Sequence, residues 1–143
     1  MANGRRTFSI SLVTPEGAAF EHEAEMIIVP GDAGEIGVLA RHAPLIALLR
    51  AGSTRVYRNV DGEDVEEFAT GPGFFTVEQD RALALVDTAV DVRAIDPDAA
   101  QRQLEEARAE LERAERGESE ADRWQLEQRI KAAENQLAAA GRD

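Results

Sequence analysis

Cysteine is missing from all 143 residues, and with it go disulfides, thiolate metal sites and thiol catalysis. Histidine is nearly absent too, with His22 and His42 the whole supply. Aromatic residues make up only 5%, which predicts a lean core. Positive charge is scarce: 16 Lys and Arg face 28 Asp and Glu, for a net charge of -12. Phosphate recognition needs clustered cations, so this balance speaks against nucleic acid as a partner and against adsorption to anionic lipid. No apolar run approaches the roughly 18 residues that span a bilayer. The start, MANGRRTFSI, has arginines with no apolar stretch behind them, unlike a secretory signal. These absences predict a soluble protein that inserts in no membrane and reaches one only through a partner.

What is present falls into two halves with different periods. From Thr7 to about Val92 short β-type runs alternate with turn residues. TFSISLV alternates hydroxyl and apolar side chains with a period of two, as a half-buried strand does. EMIIVP, EIGVLA, TRVYRNV, VEEFAT, FFTVEQ and ALALVD follow at intervals of roughly 8 to 12 residues, the spacing of all-β folds. TPEG, PGDAG, RAGS, NVDGED and TGPG separate them. Asn59-Val60-Asp61-Gly62 reads as a hairpin turn, with Gly62 free to adopt positive φ. Short strands without intervening helices predict an antiparallel sandwich or barrel. HAPLIALLR fits a helical turn and a strand equally well.

At Ile95 the pattern changes. Asp96-Pro97 predicts a helix start, with Asp as cap and Pro where no N–H is needed. Ala100, Leu104, Ala107, Leu111 and Ala114 recur in steps of four and three. Gly117-Glu118-Ser119 breaks the series, and Ser119 with Asp122 resembles a capping box for a second helix. Leu126, Ile130, Ala133, Leu137 and Ala140 repeat the spacing, and Gly141 ends it. The short break makes the two helices an antiparallel hairpin. Outward pairs Glu112–Arg116 and Glu127–Lys131 support it. Half of the stripe positions are alanine, so the seam buries few large side chains and should be marginal and able to rearrange; a permanently folded helical tail fits the spacing equally well. Domains are expected at 1–94 and 95–143.

Candidate chemistry is thin. GEIGVLARHAP, Gly34 to Pro44, places Glu35 and His42 on a glycine-containing tract, but no Ser or Cys in a nucleophile motif accompanies them. His22, between Glu21 and Glu23, reads as a solvated residue. Two histidines without paired spacing make no metal set. Asp61, Glu63, Asp64, Glu66 and Glu67 do not fit the spacing of a calcium loop. Gly71-Pro72-Gly73 is too short to cradle phosphate. Trp124 lies off the helical stripe and fits a flank of the seam or a contact to another chain alike. Neither catalysis nor a metal is expected.

The order LVTPEG, EAEMIIVPGDAGEIGVLARHAPLIALLRAG, DGEDVEEFATGPGFFTV, ALALVDTAV and an acidic-basic helical hairpin resembles the epsilon subunit of bacterial F-type ATP synthase over nearly the whole chain. The resemblance implies a ten-stranded sandwich docked against the gamma subunit and the c-subunit ring. It also implies a hairpin that folds down or extends toward the α/β catalytic head and blocks ATP hydrolysis. Such a subunit is not itself an enzyme. By the same resemblance Gly34, Glu35 and Gly37 lie in a loop facing the c ring, and His42, Ala43 and Pro44 lie near the gamma and c contact. Two departures stand out. Ala40-Arg41 replaces the family's Pro-Gly before His-Ala-Pro, adding a charge and losing a permissive backbone position. The family's ATP motif, I/L-D-x-x-R-A, is degenerate at Ile95, Asp96, Ala99 and Ala100: alanine stands where the phosphate-binding arginine would, and no cofactor is expected. The inhibitory-tail candidates Arg123, Arg129 and Lys131 are interleaved with acids, 8 basic against 12 acidic residues from Pro97 onward. The absence of an Arg/Ser-rich transit segment favours a bacterial source and a place on the cytoplasmic face of the inner membrane. Two rival readings remain: a nucleotide-sensing module, and a β-sandwich adaptor with a helical partner-binding tail.

Overall fold

A computed structural model describes residues 6–62 and 64–141. The first five residues and Glu63 of the acidic cluster therefore lie outside it. Ten strands come first: β1 (Phe8–Thr14), β2 (Gly17–Ala24), β3 (Met26–Gly31), β4 (Gly34–Leu39), β5 (Leu45–Leu49), β6 (Gly52–Tyr57), β7 (Val65–Thr70), β8 (Gly73–Glu78), β9 (Arg81–Val86) and β10 (Ala89–Asp91). A 3-10 turn, Val92–Ala94, precedes helices α1 (Pro97–Glu115) and α2 (Arg123–Ala140). Two compact units result, Met1–Asp91 and Val92–Asp143.

The strands form two layers of a sandwich. One runs β10-β7-β6-β3-β4 and the other β5-β8-β9-β1-β2. They meet where Gly31 of β3 pairs with Leu49 of β5, flanked by Asp32 N–H to the Leu48 carbonyl at 2.9 Å and Arg50 N–H to the Pro30 carbonyl at 3.0 Å. All neighbours are antiparallel except β1 and β9, which run parallel from Ser9↔Arg81 to Val13↔Leu85. The expectation of a wholly antiparallel sheet is corrected at that one pair. Alternation explains the interior: Phe8, Ile10 and Leu12 of β1, Ile27 and Val29 of β3, Phe75 and Val77 of β8, and Ala82, Ala84 and Val86 of β9 all point into one buried cluster.

LIALL is strand β5, which resolves the choice left open by its sequence. The β6–β7 loop closes as a turn, with Gly62 N–H on the Asn59 carbonyl at 3.2 Å and Asp61 N–H on Asn59 Oδ1 at 3.0 Å. Gly62 is not among the positive-φ glycines, so the turn does not use the freedom its glycine offers. The Asn59 side chain does the turning that a left-handed glycine would otherwise do.

In the second unit Asp96 caps α1 as expected, its Oδ1 accepting from Asp98 N–H at 3.0 Å and Ala99 N–H at 3.3 Å, with Pro97 first in the helix. Gly117, at φ 77°, ends it: Glu118 N–H reaches back to the Arg113 carbonyl and Gly117 N–H to that of Ala114. This double bond pattern is a Schellman motif. The second helix corrects the capping-box expectation, because its cap is Asp122, accepting from Trp124 and Gln125 N–H, and not Ser119. Ser119 instead donates its hydroxyl to Glu110 Oε2 at 2.7 Å and accepts from Ala121 N–H. That bond, helped by Arg113 and Arg129, holds the Glu110 carboxyl below its usual value of 4.5. A lowered carboxylate pKa stabilises the fold above about pH 4.5, and the tie is lost as pH falls through the lowered value. Of the two expected outer pairs, Glu112–Arg116 forms at 4.0 Å. Glu127–Lys131 is not an ion pair among the described residues.

Candidate docking interface

Gly34 to Pro44 does not form one site. Glu35 is the second residue of β4, one step after Gly34 and the Asp32-Ala33 turn, and pairs in register with Pro30. Leu39 ends the strand opposite Met26, so Glu35 and the Arg41–Pro44 segment lie at opposite ends of β4, on the order of 13 Å of strand apart. The structure thus separates the carboxylate from the imidazole. His42 is exposed, and its Nδ1 lies 2.7 Å from the Ala43 carbonyl, so that nitrogen carries the proton. Ala43 and Pro44 are exposed beside it. His22, on β2, is exposed as expected and meets the Phe20 ring edge-on at 5.3 Å. Among the described residues, no three of His, Asp or Glu gather in a way that could hold a metal ion.

Arg41 has φ 66°, the left-handed region. The backbone therefore keeps a glycine-like conformation at a position that holds arginine, at a cost of about 1–2 kcal/mol. Asp80 offsets part of it, its side chain accepting the Arg41 N–H across 39 residues of sequence. Asp80 itself sits with Gln79 in a two-residue β8–β9 turn at φ 60° and 51°, the positive pair that a type I′ hairpin requires.

The Glu35 end is different. Arg55 on β6 binds both Glu35 carboxylate oxygens through Nη2, at 3.0 and 3.2 Å. Beside this pair a shallow notch is lined by Asp32, Ala33, Glu35, Ile36, Ala47 and Leu48. Gly34 holds φ 139° in the turn below, and Gly37 lies two residues further along the strand.

Leu48 continues the notch into a feature the sequence reading missed. On the outer face of the second layer, Leu48 pairs with Phe74, Phe74 with Leu85 and Leu85 with Val13. Four apolar side chains from four strands therefore stand in one row about 14 Å long. Ile46, one step along β5, is 80% exposed, and Leu48, Phe74 and Leu85 are 56%, 55% and 46% exposed. Single exposed hydrophobics are ordinary, but a registered row of them marks a contact surface. Two signals could have found it: five successive apolar residues in LIALL cannot all face inward, nor can both phenylalanines of GFF.

In the hairpin, Arg123 pairs with Glu115 at 3.2 Å and Arg108 with Glu134 at 2.9 Å, both across the two helices. Arg129 lies near Glu110, and both it and Lys131 are exposed. Trp124, in the first turn of α2, is 66% exposed and not part of the seam. Asp96 spends its carboxylate on capping, Ile95 precedes it half-buried, Ala99 is half-buried and Ala100 is buried in α1.

With an apolar row from four strands left open to solvent, the fold presents a surface for another protein, as a docking subunit does. Residues 7–92 match the family described as "ATP synthase, Delta/Epsilon chain, beta-sandwich domain", and the chain belongs to the ATP synthase epsilon-chain family. It is 35% identical to the ATP synthase epsilon chain of Gloeothece citriformis over 94% of its own length and 96% of that chain. The epsilon chain of Desulfitobacterium hafniense is 40% identical over 77% of this chain and 76% of its own. Among solved structures, a chain of the Euglena gracilis mitochondrial ATP synthase, in an assembly described as OSCP/F1/c-ring, superposes with a TM-score of 0.73 at 25% identity, covering 96% of this chain and 83% of that one. The chain is an accessory subunit of ATP synthase rather than its catalytic unit. No helix among the described residues is long and apolar enough to cross a membrane.

Proposed function

We propose that this chain couples the gamma shaft to the c-subunit ring of a proton-translocating ATP synthase. It works from the cytoplasmic face of a bacterial inner membrane and docks through the outer face of β5-β8-β9-β1. The observation that carries the reading is the registered apolar row Leu48–Phe74–Leu85–Val13, of which Leu48, Phe74 and Leu85 are exposed. Glu35, with Gly34 and Gly37, takes the ring side. Arg41, His42, Ala43 and Pro44, exposed at the other end of β4, form a second contact toward gamma. Copurification with gamma and the c ring is the direct test.

The helical hairpin is the mobile part of the proposal. Of its six buried residues, Ala100, Leu104, Ala107, Leu126, Ala133 and Ala139, four are alanines, so little apolar area opposes opening. Its cross-helix ion pairs are exposed, and such pairs hold helices together only weakly. Laid end to end, the two helices would reach about 55 Å, far enough to extend from a stalk into a catalytic head. Arg123, Arg129 and Lys131 would meet that head, although the surrounding acids make the brake a weak one. Removing everything after Asp96 should raise ATP hydrolysis by the reconstituted complex; an unchanged rate would mean the hairpin does not inhibit.

ATP is not a ligand of this copy in our reading. Asp96 is engaged as a helix cap, Ala99 supplies no cation, and Asp98 adds negative charge in the first turn of α1. Calorimetric titration of the subunit should show no saturable heat in the micromolar range. Micromolar binding would restore the nucleotide-sensing alternative.

A further inference from the structure

We infer that Arg55 is the positioning residue of the ring-docking edge, holding Glu35 in the orientation that a partner meets; this rests on Glu35 facing the ring. The two side chains come from strands that are not neighbours. Arg55 lies on β6 and Glu35 on β4, with β3 between them, and the register Arg55↔Ile28↔Gly37 places Arg55 level with the glycine rather than with Glu35. The guanidinium therefore reaches diagonally over β3. Gly37 does not obstruct that path, since even a Cβ built there would meet only Ile28 Cγ1, at 3.8 Å.

At the far end one nitrogen, Nη2, contacts both carboxylate oxygens. At the near end Nε is buried without a hydrogen-bond partner. The arginine is thus partly enclosed by packing and held by its tip, with 29% of its side chain exposed, while the carboxylate it holds is 56% exposed. That asymmetry is the argument. A pair meant for stability would bury both partners, or expose both and contribute little. Here an enclosed cation fixes an open anion, which removes rotamer freedom from the group a partner has to bind. Glu67, opposite Arg55 on β7, accepts the Ser53 hydroxyl.

The test uses the full subunit reconstituted with gamma and the c ring, and reads ring attachment and thermal unfolding for each variant. Arg55→Met should weaken attachment about tenfold through lost preorganisation, and should move Tm by no more than about 4 °C because a partly exposed pair adds little to stability. Arg55→Lys, which keeps the charge and loses the fork, should recover part of the attachment. The exchange Glu35→Arg with Arg55→Glu rebuilds the ion pair but puts the wrong charge at the docking position. It should restore Tm and leave attachment weak. Restoration of both by the exchange would make the pair merely structural and overturn the inference. Wild-type attachment by Arg55→Met, alongside weakened attachment by Glu35→Gln, would overturn it as well while leaving the docking reading intact. If Glu35→Gln attaches like wild type, Glu35 is no docking group, and both the docking assignment and the inference fall.

Discussion

Gly73→Ala should destabilise the sandwich by about 3 kcal/mol, near the upper end of what overpacking costs. A Cβ at Gly73 would come within 1.9 Å of the Leu85 carbonyl oxygen and 2.8 Å of the Val86 Cα, both backbone atoms of β9. Gly73 is paired on both sides, to Leu49 on β5 and Val86 on β9, so β8 has no free edge toward which to shift. The methyl group must therefore separate two strands of the central sheet. For a domain of this size the loss corresponds to a fall in Tm of about 12–24 °C. Gly37→Ala is the control, because its nearest neighbour would be 3.8 Å away and its φ is not positive. It should shift Tm by only a few degrees. Equal behaviour of the two variants in a thermal melt would mean that close approach of the backbones is not what Gly73 provides.

The sandwich was legible where alternation and burial coincide, and illegible where an edge strand or an outer face breaks that coincidence. β1 could be read because Phe8, Ile10 and Leu12 are all buried at a period of two. β2 could not: it has one neighbour, and of its eight residues only Phe20 and Ala24 are buried, four apart, with glutamates between. β10, three residues long at the other edge, left no pattern at all. The start of α2 was misread because Ser119 and Asp122 both suit a cap, and the choice depends on a contact nine residues back, Ser119 to Glu110. Arg41 belongs to the same class. Its position was marked only through the resemblance, where glycine stands, and the left-handed backbone is held by Asp80, 39 residues away, which no local pattern announces. The candidate site was half legible. The tract from Gly34 to Pro44 could be picked out by its residues, but sequence adjacency hid the fact that its two ends lie far apart. The apolar row was missed for the opposite reason: LIALL and GFF show that some apolar side chains must face outward, but Val13, Leu48, Phe74 and Leu85 are brought together only by strand register.

That row carries the second large effect. Phe74→Asp combined with Leu85→Asp should abolish copurification with gamma and the ring while leaving the subunit folded. Phe74 and Leu85 are direct cross-strand partners in the middle of the row, and both project from the outer face. Their inward neighbours, Phe75 and Val86, are buried and make the core, so charge added at positions 74 and 85 faces water in the free subunit. In a docked complex two carboxylates would instead be stripped of water without partners, an uncompensated burial that proteins rarely tolerate. Central aromatic and aliphatic anchors of an interface commonly contribute about 2–4 kcal/mol each, so losing even one such anchor lowers affinity roughly 30- to 700-fold. Phe75→Ala separates the two faces of the same strand: it removes a fully buried ring and should lower stability by about 3–5 kcal/mol. A double aspartate variant that melts like wild type and no longer binds would assign the row to docking. One that still copurifies would leave the row as exposed surface, and the contact with the stalk would have to be sought on the Arg41–Pro44 end of β4.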